Sequence, residues 1–242
     1  MPKILRDFSH WNIINDYIKV RDSADAFIIK AYDQEFLNAE KEDPAHDDHY
    51  MGLRPKPVGE YLYLDPGANA RTQVQGYMNV SYRGFMDVVD LEETEGLDNN
   101  TVTNRVIATG ENFILESGRK AWLYSNLNFL DNVLNDPARI MEVYEAIWLA
   151  WPVPSATSPR MPKYYPASFV KMWQRSWTEE VDCVDGPSDE SWFLGTDAEF
   201  DKLTRMLPLP PPPTDILELR VAANEVAIES IEDWASKLSM EI

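Results

Sequence analysis

The side chains best placed for chemistry at short range lie in one segment, Asp43-Pro-Ala-His46-Asp47-Asp48-His49. Two histidines three residues apart, with carboxylates between and beside them, form a ligand set that zinc, iron or manganese accepts. His46, His49 and Asp47 are therefore the candidate metal ligands, and folding could add His10, the remaining histidine of the chain. The segment is polar and contains proline, so it also reads as a plain surface loop. No cofactor is expected apart from a divalent metal at this segment.

Other catalytic patterns are missing. The ten glycines are spread out and form neither GxGxxG nor GxxxxGK[ST]. Phosphate cradles need clustered glycine so that backbone amides can approach the anion, which argues against a Rossmann or P-loop enzyme. There is no GxSxG elbow, and Cys183 stands among acids that oppose thiolate formation. With 41 acidic residues, too many carboxyl pairs exist to single out an acid–base couple, because such pairs are defined in space. No catalytic residue is assigned, and the sequence leans away from an enzyme.

Charge gives a second set of candidates. The chain has 242 residues and a net charge of −19, which repels nucleic acid and anionic membranes. Between Glu145 and Glu179 there is no acid, and Arg160, Lys163, Lys171 and Arg175 alternate with aromatic residues. From Glu179 to Asp201 there are nine acids and no Lys or Arg. Aromatics and arginine are enriched in interface cores, and opposed potentials fix register. Arg160, Lys163, Tyr164, Tyr165, Trp173, Arg175 and Trp177 are the candidate interface. The expected partner is a protein, either a second copy in a homo-oligomer or a basic protein, with nucleic acid and membrane disfavoured.

The elements that would position these residues read as mostly helical. Two helices are expected in the first forty residues, the second on Ala24, Phe27, Ile28, Ala31, Tyr32 and Phe36. Residues 60–65 alternate as a strand, and Thr72, Val74, Met78, Val80 and Tyr82 alternate as another. Together, residues 60–83 predict a small antiparallel pair, with Gly76 marking a bulge or a close backbone approach. Asp136-Pro137 starts a helix running to Trp151, Ser168 starts one carrying Trp173 and Trp177, and Thr196 opens a capping box. A proline run at 208–213 precedes a long amphipathic helix from about Asp215. The fold class expected is α+β, predominantly helical, with the 60–83 sheet and that C-terminal helix. The domain division expected is a main domain over 1–151 and a helical subdomain over 152–242.

The single cysteine excludes an intrachain disulfide, and no stretch nears the roughly 18 apolar residues of a membrane span. The N-terminus lacks a signal-like apolar run, so a cytoplasmic location is expected, with the nucleus as the other choice. The function expected is a non-catalytic acidic interaction or assembly protein: a structural subunit, an adaptor or an inhibitor. The alternatives are a metal-dependent hydrolase or oxygenase built on His46, His49 and a carboxylate, and an acidic mimic of nucleic acid.

Overall fold

The computed structural model describes residues 2–35 and 41–205, and residues up to Arg205 form one compact unit. The strands are β1 (Lys3–Phe8), β2 (Ile13–Ile14), β3 (Ala26–Asp33), β4 (Val58–Tyr63), β5 (Asp87–Asp90), β6 (Trp122–Asn126), β7 (Ile147–Ala150), β8 (Val170–Glu179), β9 (Val184–Asp185) and β10 (Ser188–Phe193). The helices are α1 (Tyr17–Arg21), α2 (His46–Leu53), α3 (Ala70–Val80), α4 (Asn99–Ser117), α5 (Pro137–Val143) and α6 (Asp197–Thr204). Eight strands close into a barrel in the order β1-β10-β8-β7-β6-β5-β4-β3. Strands β3 to β8 run parallel in sequence order, and β1 runs parallel to β3. Within the barrel, β10 is the one antiparallel strand, pairing with β1 on one side and β8 on the other. β2 and β9 form a separate two-stranded ribbon.

This architecture overturns the expectation of a predominantly helical α+β fold with a small antiparallel sheet. The expected helix at 24–36 is strand β3, and all eight of its residues are buried. A parallel strand covered on both faces has no polar side, so its apolar residues fall by chance at helical spacing as readily as at period two. The strand expected at 72–83 is helix α3. Asn69 caps it by accepting from the Thr72 amide, and Ala70, Gln73, Val74, Tyr77 and Val80 form its buried face. Gly76 does mark a close approach, since a Cβ there would lie 2.4 Å from the Tyr32 ring. The helix expected from Ser168 is strand β8, paired with β7 and β10. The helix starting at Asp136-Pro137 forms but stops at Val143, and Ile147–Ala150 returns to the barrel as β7. The Thr196 capping box is present, with Glu199 closing it. The proline run and the amphipathic helix expected beyond it lie outside the described residues.

Two apolar layers hold the barrel. Its interior is filled by Leu5, Ala26, Ile28, Val88, Trp122, Met172 and Phe193 among others. Outside, α3, α4 and α5 bury Val74, Tyr77, Val106, Phe113 and Ile140 against Leu62, Val89, Leu123 and Leu149 of the strands. Each fully buried Leu- or Phe-sized side chain contributes about 1.5–3 kcal/mol by leaving water. The loops that follow the parallel strands all open at one end, and that end holds the site.

Candidate active site

Alternation along each strand decides which side chains enter the barrel mouth. Two positions beyond interior Leu5, Ile28, Val88 and Trp122 stand Asp7, Lys30, Asp90 and Tyr124. β10 enters in the opposite sense, so its first turn places Asp189 at the same end. Asp7, Lys30, Asp33, Glu35, Tyr61, Tyr63, Asp90, Glu92, Tyr124, Trp148 and Asp189 line a cavity of about 470 Å³, with Ser9, His10, Trp11 and Val88. Asp90-Leu91-Glu92 shows the logic at its shortest. Leu91 is fully buried in the outer layer, and the acids on either side of it face the cavity. Active sites of parallel barrels form at this strand end because loops from several strands converge there.

The cavity is crowded with carboxyls and has one lysine. Asp7 and Asp189 are cross-strand neighbours in the β1–β10 ladder. Lys30 donates to Asp33 at 2.9 Å and lies 4.4 Å from the Tyr63 ring centroid. A chain of hydrogen bonds crosses the floor. The Tyr124 hydroxyl donates to Gln174 Oε1 at 2.7 Å, and Gln174 Nε2 donates to Asp189 Oδ2 at 2.7 Å. Trp148 Nε1 donates to Ser191 Oγ. Asp7 Oδ2 and Asp90 Oδ1 are buried with no hydrogen-bond partner among the described residues. An unpartnered buried oxygen is costly in a finished core and marks a place where a functional role outweighs packing.

Burial and mutual repulsion shift these carboxyls upward. Burial, and then the charge of Asp189, pushes the Asp7 carboxyl well above the usual carboxylate range. Burial and then Glu92 push Asp90 up likewise, with Lys30 acting against the shift. Burial raises Asp189 to about 6. Glu92, on the exposed rim, is also raised by loss of hydration, although Tyr124 and Lys30 pull it back. Proton donors and an ionisable carboxylate therefore share one cavity, which is the equipment of general acid–base chemistry.

Of the residues singled out from the sequence, His10 lines the cavity and the others lie elsewhere. His46 is fully buried on α2, with Nδ1 3.0 Å from Glu42 and Nε2 2.7 Å from Glu60. Burial alone would lower its pKa, but hydrogen bonds to the two glutamates outweigh it and push it up to about 9. His49 is bonded to the Tyr17 hydroxyl at 2.9 Å and to the Ser9 carbonyl at 3.2 Å, and Asp47 accepts from Tyr82. Glu42, His46 and Asp47 each bring one ligand atom within 4.8 Å of the others, and His49 is not of that group. His10 pairs with Asp43 at 2.8 Å. Of the seven interface candidates, Arg160, Lys163, Tyr164 and Trp177 are exposed, while Tyr165 and Trp173 are buried. Trp173 packs on Trp151 and Trp192 and donates to the Trp151 carbonyl. Arg175 is held by Glu190 at 2.8 Å and stacks over Trp192.

Sequence reasoning assigned none of the cavity carboxyls. A signal was present. The apolar runs of β1, β3 and β5 each meet an acid at or near their C-terminal ends, in Asp7, Asp33 and Asp90. That pattern has meaning only once the runs are read as parallel strands.

Residues 6–184, more than half of the chain, match the family model described as glycosyl hydrolases family 25. The chain belongs to glycosyl hydrolases family 25. Membership overturns the reading as a non-catalytic interaction or assembly protein, and the reading as a nucleic-acid mimic falls with it. Solved structures share the family 25 fold at low identity. A bacterial lysozyme from Streptomyces coelicolor is 17% identical with a TM-score of 0.72, over 84% of this chain and 97% of that one. A muramidase from Acremonium alcalophilum is 17% identical with a TM-score of 0.67, over 84% and 98%. A family GH25 lysozyme from Aspergillus fumigatus is 16% identical with a TM-score of 0.65, over 84% and 99%. No curated protein sequence matches the chain significantly.

Proposed function

We propose that this chain is a glycoside hydrolase that cuts the glycan strands of bacterial cell-wall peptidoglycan, as a lysozyme or muramidase. The observation that carries the reading is the cavity at the C-terminal strand ends, where Asp7, Asp90, Glu92 and Asp189 meet. Family membership supplies the reaction class, and the solved lysozymes and muramidases of the same fold suggest the polymer.

In this reading Glu92 is the general acid. It stands at the rim where a glycosidic oxygen can reach it, and partial desolvation shifts its pKa upward, the direction a proton donor needs. As the C–O bond breaks, the proton passes to the leaving oxygen and the sugar carbon gains positive charge. A carboxylate in the same cavity offsets that charge. Asp189 ionises ahead of Asp7 and Asp90, because the latter two are raised well above the carboxylate range and Asp189 only to about 6. Water then completes the hydrolysis and its proton restores the acid. Tyr61, Tyr63 and Trp148 give the sugar rings apolar faces to rest on.

The test is the release of new reducing ends from purified peptidoglycan by the intact chain and by Glu92→Gln. The variant should keep its thermal unfolding midpoint and lose about 10²–10⁴-fold in rate. A folded wild-type protein that releases no reducing ends, or a Glu92→Gln variant as active as wild type, would sink the proposal.

A further inference from the structure

Trp11 is the most exposed large apolar side chain among the described residues, at 78%, and it borders the catalytic cavity. A lone exposed tryptophan is ordinary on a protein surface. This one is different because the turn that carries it is fastened from several sides. The Asn12 amide donates to the Ser9 carbonyl at 2.9 Å, and the Ser9 amide donates to Asn12 Oδ1 at 3.0 Å. Asn12 Nδ2 reaches across to the Pro187 carbonyl at 2.9 Å, tying the turn to the loop before β10. His49 of α2 holds the Ser9 carbonyl, and the buried Asp43 takes both the amide and Nδ1 of His10. The His10 ring then rests beside the indole, 4.4 Å between centroids.

We infer that Trp11 is a fixed stacking platform for a pyranose ring of the glycan outside the pair of sugars being cut. The inference rests on the glycosidase reading of the cavity. Stacking on an aromatic face buries the apolar C–H face of a sugar while its hydroxyls stay in water. A turn already fastened leaves the chain less freedom to lose on binding, so more of the contact energy appears as affinity. Asp43 and His49, which stood out in the sequence as possible metal ligands or their neighbours, act here as the anchors of that platform. The platform also gives the site a length requirement: chains long enough to reach Trp11 at the edge of the cavity bind more tightly than those that fill only its carboxyl-lined part.

The experiment separates binding from turnover by using the non-hydrolysing Glu92→Gln chain. Its affinity for soluble peptidoglycan glycans of four and eight sugars is measured by calorimetry, alone and with Trp11→Ala or Trp11→Phe. Trp11→Ala is expected to weaken the longer glycan about tenfold and to narrow the gap between the two lengths. Trp11→Phe, which keeps a ring, should restore most of the loss. In the hydrolytically active chain, Trp11→Ala should raise KM for polymeric peptidoglycan about tenfold with much less change in kcat. Equal affinity of the longer glycan for chains with and without Trp11, while the wild type still hydrolyses peptidoglycan, overturns the platform alone. Absence of both hydrolysis and glycan binding overturns the glycosidase reading and the platform with it.

Discussion

Asp189 is the carboxyl whose titration should be visible in a rate profile. Burial raises it to about 6, so the rate should climb with pH as it ionises through that value. The rate should fall as Glu92 loses the proton it must donate, and Glu92, raised by burial, holds that proton to higher pH than an ordinary glutamate does. Asp189→Asn is expected to remove the limb near pH 6 and to lower the rate on peptidoglycan about 10²–10⁴-fold, as loss of a catalytic carboxylate does. An unchanged acid limb in that variant would show that another group controls it. These assignments come from position. Asp7, Asp90 and Asp189 are separated by long stretches of chain, and none has a local motif of its own.

At the scale of elements, α2 and β4 are joined by a buried ion pair between His46 and Glu60. Glu60 accepts from His46 Nε2 at 2.7 Å, from Ser81 Oγ at 2.9 Å and from the amides of Tyr82 and Gly84 at 2.9 Å. Burial would raise this carboxyl, but those bonds outweigh it and hold it below the usual range. His46 has its pKa raised from 6.5 to about 9, so its contribution is complete below about pH 6.5 and is lost as pH rises through about 9. The linkage is worth roughly 3 kcal/mol at 1.36 kcal/mol per pKa unit. Chemical denaturation at pH 6.5 and pH 9.5 should show that loss in wild type, and His46→Gln should abolish the difference. The variant itself should cost about 3–5 kcal/mol, because it leaves Glu60 buried without its cation. Gly84 is a second fixed point. A Cβ there would lie 2.0 Å from the Val58 carbonyl oxygen, which is strand backbone and cannot yield. Gly84→Ala is expected to lower stability by at least the 1–3 kcal/mol typical of overpacking, read as a fall in the thermal midpoint.

For the whole molecule, closure depends on β10. It is the one strand that pairs antiparallel on both sides, joining β1 to β8, and it also delivers Asp189 to the cavity. A chain ending at Gly186 would leave β1 and β8 as open edges and expose Leu5 and Met172 of the barrel interior. Such a chain is expected to show no cooperative unfolding transition by circular dichroism, whereas the full chain should unfold in one for the unit that ends at Arg205. A cooperative transition in the shortened chain would mean that closure is not what holds the barrel.

Local chemistry was legible in the sequence because it acts over a few residues. Thr196 and Glu199 form their capping box, and Asp136-Pro137 starts its helix where the spacing said it would. Residues 60–65 were readable as a strand, which β4 bears out over Val58–Tyr63. What neighbours β4 was not readable: β3 and β5 flank it in parallel, and the residues that follow it form α3. Ala26–Asp33 is buried on both faces, because helices cover one side and the barrel interior the other, so its periodicity could not separate strand from helix. The histidines drew attention because their spacing is local; His46 bonds to Glu60 and His49 to the Ser9 carbonyl. The acids of the cavity drew none, since 41 carboxyls look alike until strand direction brings Asp7, Asp90, Glu92 and Asp189 to one end of a barrel. Sequence by itself determined the caps at Asp136 and Thr196 and the amount of apolar material. Only the tertiary structure decided which carboxyls share a cavity, because desolvation and mutual repulsion arise between groups that are close in space and distant along the chain.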